Sequence, residues 1–114
     1  MVKISILYPN TPDTFFDEDY YLNVHIPRSV TLQGKTLKGT QVETGITGVP
    51  EGTKPPFKVM CHFYYDSIQG FLDAFLPHQE ELTADIKNYT DVEPVIQISE
   101  VRVSTGFMQM MTNQ

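Results

Sequence analysis

The 114 residues include a single cysteine, Cys61, so an intrachain disulfide framework and a multi-cysteine zinc site are both excluded. A lone thiol suits a reducing compartment, and a cytoplasmic location is expected. Basic residues are scarce too: eight Lys and Arg are scattered among fourteen Asp and Glu, giving a formal charge of −6. Binding a phosphate backbone needs clustered cations, which argues against a nucleic-acid role. There is no run of 18 apolar residues, and the apolar stretch Val2–Tyr8 is too short for a signal peptide, so no membrane contact is expected. Gly45, Gly48 and Gly52 do not lead from a clean strand into a helix, which removes a glycine-rich phosphate loop and with it a nucleotide cofactor. A serine nucleophile elbow is also missing.

What is present suits one compact domain, with 40% hydrophobic residues and a chain long enough to bury roughly 60–70% of its unfolded surface. Val2, Ile4 and Ile6 alternate with Lys3 and Ser5 and predict a strand that ends at the turn-forming Pro9–Pro12. Asp17 is placed to cap a helix whose first turn is acidic and whose Tyr21, Leu22, His25 and Ile26 share a face. Pro27 lacks an N–H, so this helix is expected to end or kink just before it. Thr40–Ile46 reads as an edge strand and Gly48–Pro56 as a surface loop. Phe57–Tyr65 is the clearest strand: Phe57, Val59, Cys61, Phe63 and Tyr65 form one face, Lys58, Met60, His62 and Tyr64 the other.

Asp66-Ser67 then starts a helix, and the stripe Ile68, Phe71, Leu72, Phe75, Leu76 predicts packing on the sheet. Pro77 interrupts it and opens a second short helix to Asp85. Val92–Val103 is expected as a long last strand, with Ile96 and Ile98 on one face. The order is βαββαβ, an α+β, ferredoxin-like fold with a four-stranded antiparallel sheet and both helices on one side. The other side, carrying Met60, His62 and Tyr64, is left open, and pairing of two sheets would hide it. The domain is placed at residues 1–103. Residues 104–114, with Met108, Met110 and Met111, form a tail expected to be mobile or packed on a partner subunit.

Chemistry falls to histidines and phenols. His25 can exchange a proton near neutral pH, and Tyr21, four residues earlier, shares its helix face, so both are candidate catalytic residues. The competing structural reading has His25 bonding a carbonyl freed by Pro27. His62, beside Met60 and Tyr64 on the mixed strand face, is a third catalytic candidate, or else an interface histidine. Met60, Tyr64, His78 and Tyr89 are candidate substrate contacts. Tyr89 could roof a pocket or anchor a loop, and His78 could merely cap a helix or face water. No histidine pair has the spacing of a ligand set, so no metal is expected. Cys61, on the apolar strand face, is expected to be an inert thiol of raised pKa.

Several stretches together resemble the EthD-like branch of the dimeric α/β-barrel superfamily, named after a small protein of bacterial ethyl tert-butyl ether degradation. They are Lys3–Asn10, the Asp-Tyr-Tyr-Leu-x-x-His-x-Pro pattern ending at Pro27, the Phe63–Phe71 segment, and Phe75–Val101 with Pro77-His78, Asn88-Tyr89-Thr90-Asp91 and Glu93–Ser99. The resemblance implies a homodimer, a dimeric α/β barrel with pockets between sheet and helices. EthD resembles an accessory of a monooxygenase system. Wider relatives include cofactor-independent oxygenases, cyclases, dehydratases and an isomerase. The expected function is binding of an apolar, oxygenated or aromatic small molecule, with His25 as general acid/base and no cofactor, the enzyme being an oxidoreductase or a proton-transfer catalyst. The alternative is a non-catalytic accessory or carrier supporting a monooxygenase, and a third reading is a purely structural interaction module with no internal pocket.

Overall fold

The structure, a computed structural model, describes residues 1–106. Strand β1 (Val2–Pro9) leads to a helical run made of α1 (Glu18–Tyr20), a π segment (Tyr21–His25), α2 (Ile26–Gln33) and a 3₁₀ turn (Gly34–Thr36). Strands β2 (Gly39–Thr44) and β3 (Phe57–Tyr65) follow. A second helical run comprises α3 (Ile68–Phe75), a 3₁₀ turn (Leu76–His78), α4 (Gln79–Asp85) and a 3₁₀ turn (Ile86–Asn88), and β4 (Val95–Glu100) closes the fold. The sheet order is β2-β3-β1-β4, with every neighbouring pair antiparallel. This is the ferredoxin-like α+β arrangement expected from the sequence.

Register decides which side chains meet. Ile4 pairs with Phe63 and Ile98, while Ile6 pairs with Cys61 and Ile96, so Ile4, Cys61 and Phe63 lie under the helices. One residue out of phase, Ser5 pairs with His62 and faces the other side with Met60 and Tyr64. The caps expected from the sequence form: the Asp17 carboxylate accepts from the Tyr20 N–H and the Ser67 hydroxyl from the Gly70 N–H, both at 3.0 Å. A buried polar link ties the first helical run to the sheet, with the Tyr65 hydroxyl donating to Gln33 and the Gln33 amide donating to Ser29.

Three expectations are corrected. The first helix neither ends nor breaks before Pro27. In the π segment the Ile26 N–H bonds the Tyr21 carbonyl, five residues back, and this wider turn brings Pro27 into the first turn of α2, where a missing N–H costs little. The last strand is six residues long rather than spanning Val92–Val103. It pairs with β1 alone, which runs out of partners at Met1 after the Val101 N–H bonds the Met1 carbonyl, while Pro94 offers no donor at the other end. Leu76 and Ile68 of the apolar stripe are half exposed; Leu76 falls in the 3₁₀ turn Leu76–His78, which breaks the 3.6-residue period, and Ile68 opens α3. Within the expected tail, residues 104–106 are exposed. Met108, Met110 and Met111 lie outside the described residues.

Ile4 and Ile96 occupy the same sheet face, yet Ile4 is 2% and Ile96 60% exposed. Ile4→Ala is therefore expected to cost about 2–5 kcal/mol, whereas Ile96→Ala should stay within about 0.5 kcal/mol. Urea midpoints of the two variants check this, and equal losses would mean that β4 is covered.

Candidate functional site

The Asp17 cap fixes the start of the first helical run, and the π segment sets the phase of its aromatic face. Tyr21 and His25 are both buried, their rings stacked with centroids 5.6 Å apart and planes 15° apart. The imidazole does not bond the Tyr21 phenol. Its Nδ1 lies 2.8 Å from Asp85 Oδ2, at the end of α4. The other carboxylate oxygen accepts from the Tyr20 hydroxyl at 2.7 Å and from the Asn88 side-chain amide at 2.8 Å.

Partial burial alone would raise the Asp85 pKa, but hydrogen bonds from Tyr20, Asn88 and His25 outweigh it and hold the carboxyl below its ordinary range. An ionised carboxylate only accepts, so Nδ1 is the nitrogen that carries a proton in this contact.

Tyr89 approaches from the other side, its ring centroid 4.7 Å from that of His25. The chain around Tyr89 is pinned to the first helical run: the Asp17 N–H donates to the Tyr89 carbonyl at 2.7 Å, and the Thr90 hydroxyl donates to the Phe15 carbonyl at 2.7 Å. The Tyr89 hydroxyl meets that of Tyr8, from β1, at 2.6 Å. Burial pushes the Tyr8 phenol up to about 12 and raises Tyr89 as well, so both stay protonated at neutral pH. Phe16 packs edge-on against Tyr8, Tyr21 and Tyr89 and closes the aromatic cluster.

Between this cluster and the exposed half of the sheet lies a small, mostly apolar pocket of about 70 Å³. Ile6 and Ile96 line it from the sheet, Phe75, Leu82 and Ile86 from the helices, and His25, Tyr8, Thr83 and Tyr89 are its polar residues. Nδ1 points to Asp85, the ring is flanked by Tyr21 and Tyr89, and His25 lines the pocket. This arrangement can hold an apolar group against a base and a phenol donor.

Of the residues singled out from sequence, the structure brings His25, Tyr21 and Tyr89 together. Tyr21 contributes its ring, while its hydroxyl turns to the Cys61 thiol in the core. Cys61 is fully buried and burial pushes its thiol up to about 12. His62, Met60 and Tyr64 lie across the sheet and cannot share a pocket with His25 in one chain. There, His62 Nδ1 meets the Ser5 hydroxyl at 2.8 Å and Nε2 meets the Glu43 carboxylate at 2.9 Å, while the Tyr64 hydroxyl donates to Gln41 at 2.9 Å. His78 sits half-buried in its 3₁₀ turn and does not line the pocket. Among the described residues no three His, Cys, Asp or Glu side chains converge as metal ligands.

Sequence reasoning missed Asp85, Tyr8, Tyr20 and Asn88. One signal was available for Asp85: a carboxylate in the last turn of a helix opposes the helix dipole, so its presence there implies donors from elsewhere.

A sequence profile of the EthD domain matches residues 9–93, a span that contains the His25–Asp85 pair and Tyr89. The chain belongs to the EthD family. It is similar to an EthD-like protein from Ralstonia eutropha JMP134, with TM-score 0.86 and 39% identity over 91% of this chain and 94% of that one. The fold is shared with an EthD-family protein from Bacillus halodurans C-125, with TM-score 0.69 and 24% identity over 89% of this chain and 98% of that one. No curated protein matches it.

In the EthD chain the depressed Asp85 pKa makes stability depend on pH. The stabilisation is complete above the unfolded pKa, near 3.8, and is lost as pH falls through the lower folded value. Asp85→Asn should therefore be less stable than the parent at neutral pH, and the urea midpoints of the two should converge below about pH 4. A gap that persists undiminished in acid would mean that the carboxylate charge is not what the three donors stabilise.

Proposed function

We propose that this EthD chain is a cytoplasmic homodimeric small-molecule protein that moves a substrate proton at His25. The observation that carries this reading is an imidazole that is tied through Nδ1 to a carboxylate and lines an apolar pocket. A substrate with an acidic C–H or O–H beside a carbonyl would give its proton to Nε2, leaving the electron pair on an enolate or phenolate oxygen. The Tyr8–Tyr89 pair supplies a phenol donor for that oxygen, and Asp85 balances the imidazolium. Returning the proton to another atom completes an isomerisation, cyclisation or dehydration. Passing the electrons to dioxygen instead gives an oxygenase. None of these routes calls on a further cofactor.

Homodimerisation by the sheet face opposite the helices is part of the proposal. Val95, half exposed there beside the Ser5–His62–Glu43 network, gives that face something to bury. The second reading, a carrier serving a monooxygenase, is favoured by the pocket's lining, which is apolar apart from His25, the two phenols and Thr83.

The two readings separate on solvent-deuterium incorporation into a panel of small ketones and phenols, followed by mass spectrometry. If His25 moves the proton, the parent accelerates incorporation into at least one compound, and His25→Ala removes roughly 10²–10⁴-fold of that rate. Tyr89→Phe should slow it less. Binding of the same compounds without accelerated exchange assigns the pocket to a carrier, and acceleration unaffected by His25→Ala overturns His25 as the proton-transfer group.

A further inference from the structure

Two depressions flank the His25–Asp85 pair. On one lies the apolar pocket. On the other, between the two helical runs, is a groove of about 240 Å³ lined by Tyr20, Val24, Arg28, Glu81, Asp85 and Asn88. His25 lines the pocket and Asp85 the groove, and buried Leu82 lines both and separates them. The hydrogen bond from Nδ1 to Asp85 Oδ2 crosses this partition.

We infer that His25 exchanges its proton with water through Asp85 and the outer groove, while the apolar pocket is kept for substrate; this rests on His25 being the proton-transfer group. The argument is one of timing as well as polarity. An apolar substrate in the pocket excludes water from Nε2 at the moment the imidazole becomes charged. The pocket walls offer little to carry a proton outward, since the Tyr8 and Tyr89 hydroxyls are engaged with each other. The groove side is the reverse: Asp85 Oδ1 is already bonded to the Tyr20 hydroxyl and the Asn88 amide, and the Arg28–Glu81 ion pair lies in the same groove.

A proton taken up at Nε2 makes the imidazolium, whose Nδ1 proton is then lost to groove water beside the Asp85 carboxylate, which stays ionised, and the flow reverses when the product is protonated. No net charge stays on the imidazole. Asp85 is thus a positioning residue that also holds open the route to solvent, and substrate and proton enter by different doors.

The test needs no substrate. Long-range ¹H–¹⁵N NMR of the full chain identifies which His25 nitrogen is protonated and gives the exchange rate of that proton with water. Val24→Trp narrows the groove and Ile96→Trp covers the pocket mouth. Both replace half-exposed side chains. Val24→Trp should slow exchange of the Nδ1 proton severalfold, and Ile96→Trp should leave it unchanged. Arg28→Ala, which opens the groove side, should accelerate it. Slowing by Ile96→Trp alone, or an equal rate in all three variants, overturns the route while leaving His25 as the base. A proton resident on Nε2 in the parent protein would instead sink the reading of His25 itself.

Discussion

The Asp85 carboxylate is the constraint from which the candidate site follows. It lies in the last turn of α4, where the helix dipole disfavours negative charge, and it remains ionised because three donors converge on it. Two of these, Tyr20 and His25, come from the first helical run, and Asn88 comes from the turn just past Asp85 itself. A single anion therefore joins the two helical runs and fixes the tautomer of the imidazole. Because the runs are drawn together over β1 and β3, they leave the helix side of β4 uncovered, and Ile96 and Ile98 remain about half exposed there. The mouth of the pocket is the edge of that uncovered strip.

The phenols around this anion work through burial. Taken out of water, the Tyr8, Tyr21 and Tyr89 hydroxyls lose the option of ionising, since the charged form is the one that desolvation penalises. They persist as neutral donors in a wall that would otherwise be hydrocarbon. Their rings pack edge-on or tilted, in contacts worth about 0.5–1.5 kcal/mol each beyond burial, so the cluster that positions the donors is also a substantial part of the core. Rigidity at Tyr89 and His25 is a by-product of ordinary packing between β1 and two helical runs.

Much of the architecture was legible because it rests on local periods. Alternation in Val2–Tyr8 and Phe57–Tyr65 set both faces of the central strands, and Asp17 and Ser67 marked helix starts that form as expected. Where the backbone departs from its usual period, the sequence was misleading. A π turn has no residue signature, so Pro27 read as an end or a kink of the helix, whereas it lies in the first turn of α2 just after the irregular π segment. Leu76 read as core on a 3.6-residue repeat that the following 3₁₀ turn abandons. The site was half legible for a different reason. His25, Tyr21 and Tyr89 carry recognisable chemistry, but Asp85 is identified only by bonds to residues 60 and 65 positions earlier, and no local pattern reports those.

The two buried histidines show why residue type alone underdetermines a site. Strand alternation put His62 on the face with Met60 and Tyr64, opposite the helices, and the register confirms that placement; the expected exposure of that face does not hold, since Ser5, His62 and Tyr64 are buried. His62 has both ring nitrogens bonded within the sheet, to Ser5 and Glu43, so a ligand there would first have to break a protein hydrogen bond. His25 is bonded through Nδ1 and lines an apolar pocket, and among the described residues no hydrogen bond to its other nitrogen is seen. Proton transfer to a substrate costs no existing hydrogen bond at His25 and one at His62. That difference, set by which partners the fold supplies to each ring, supports assigning the chemistry to the helix side of the sheet and cross-strand cohesion to the other.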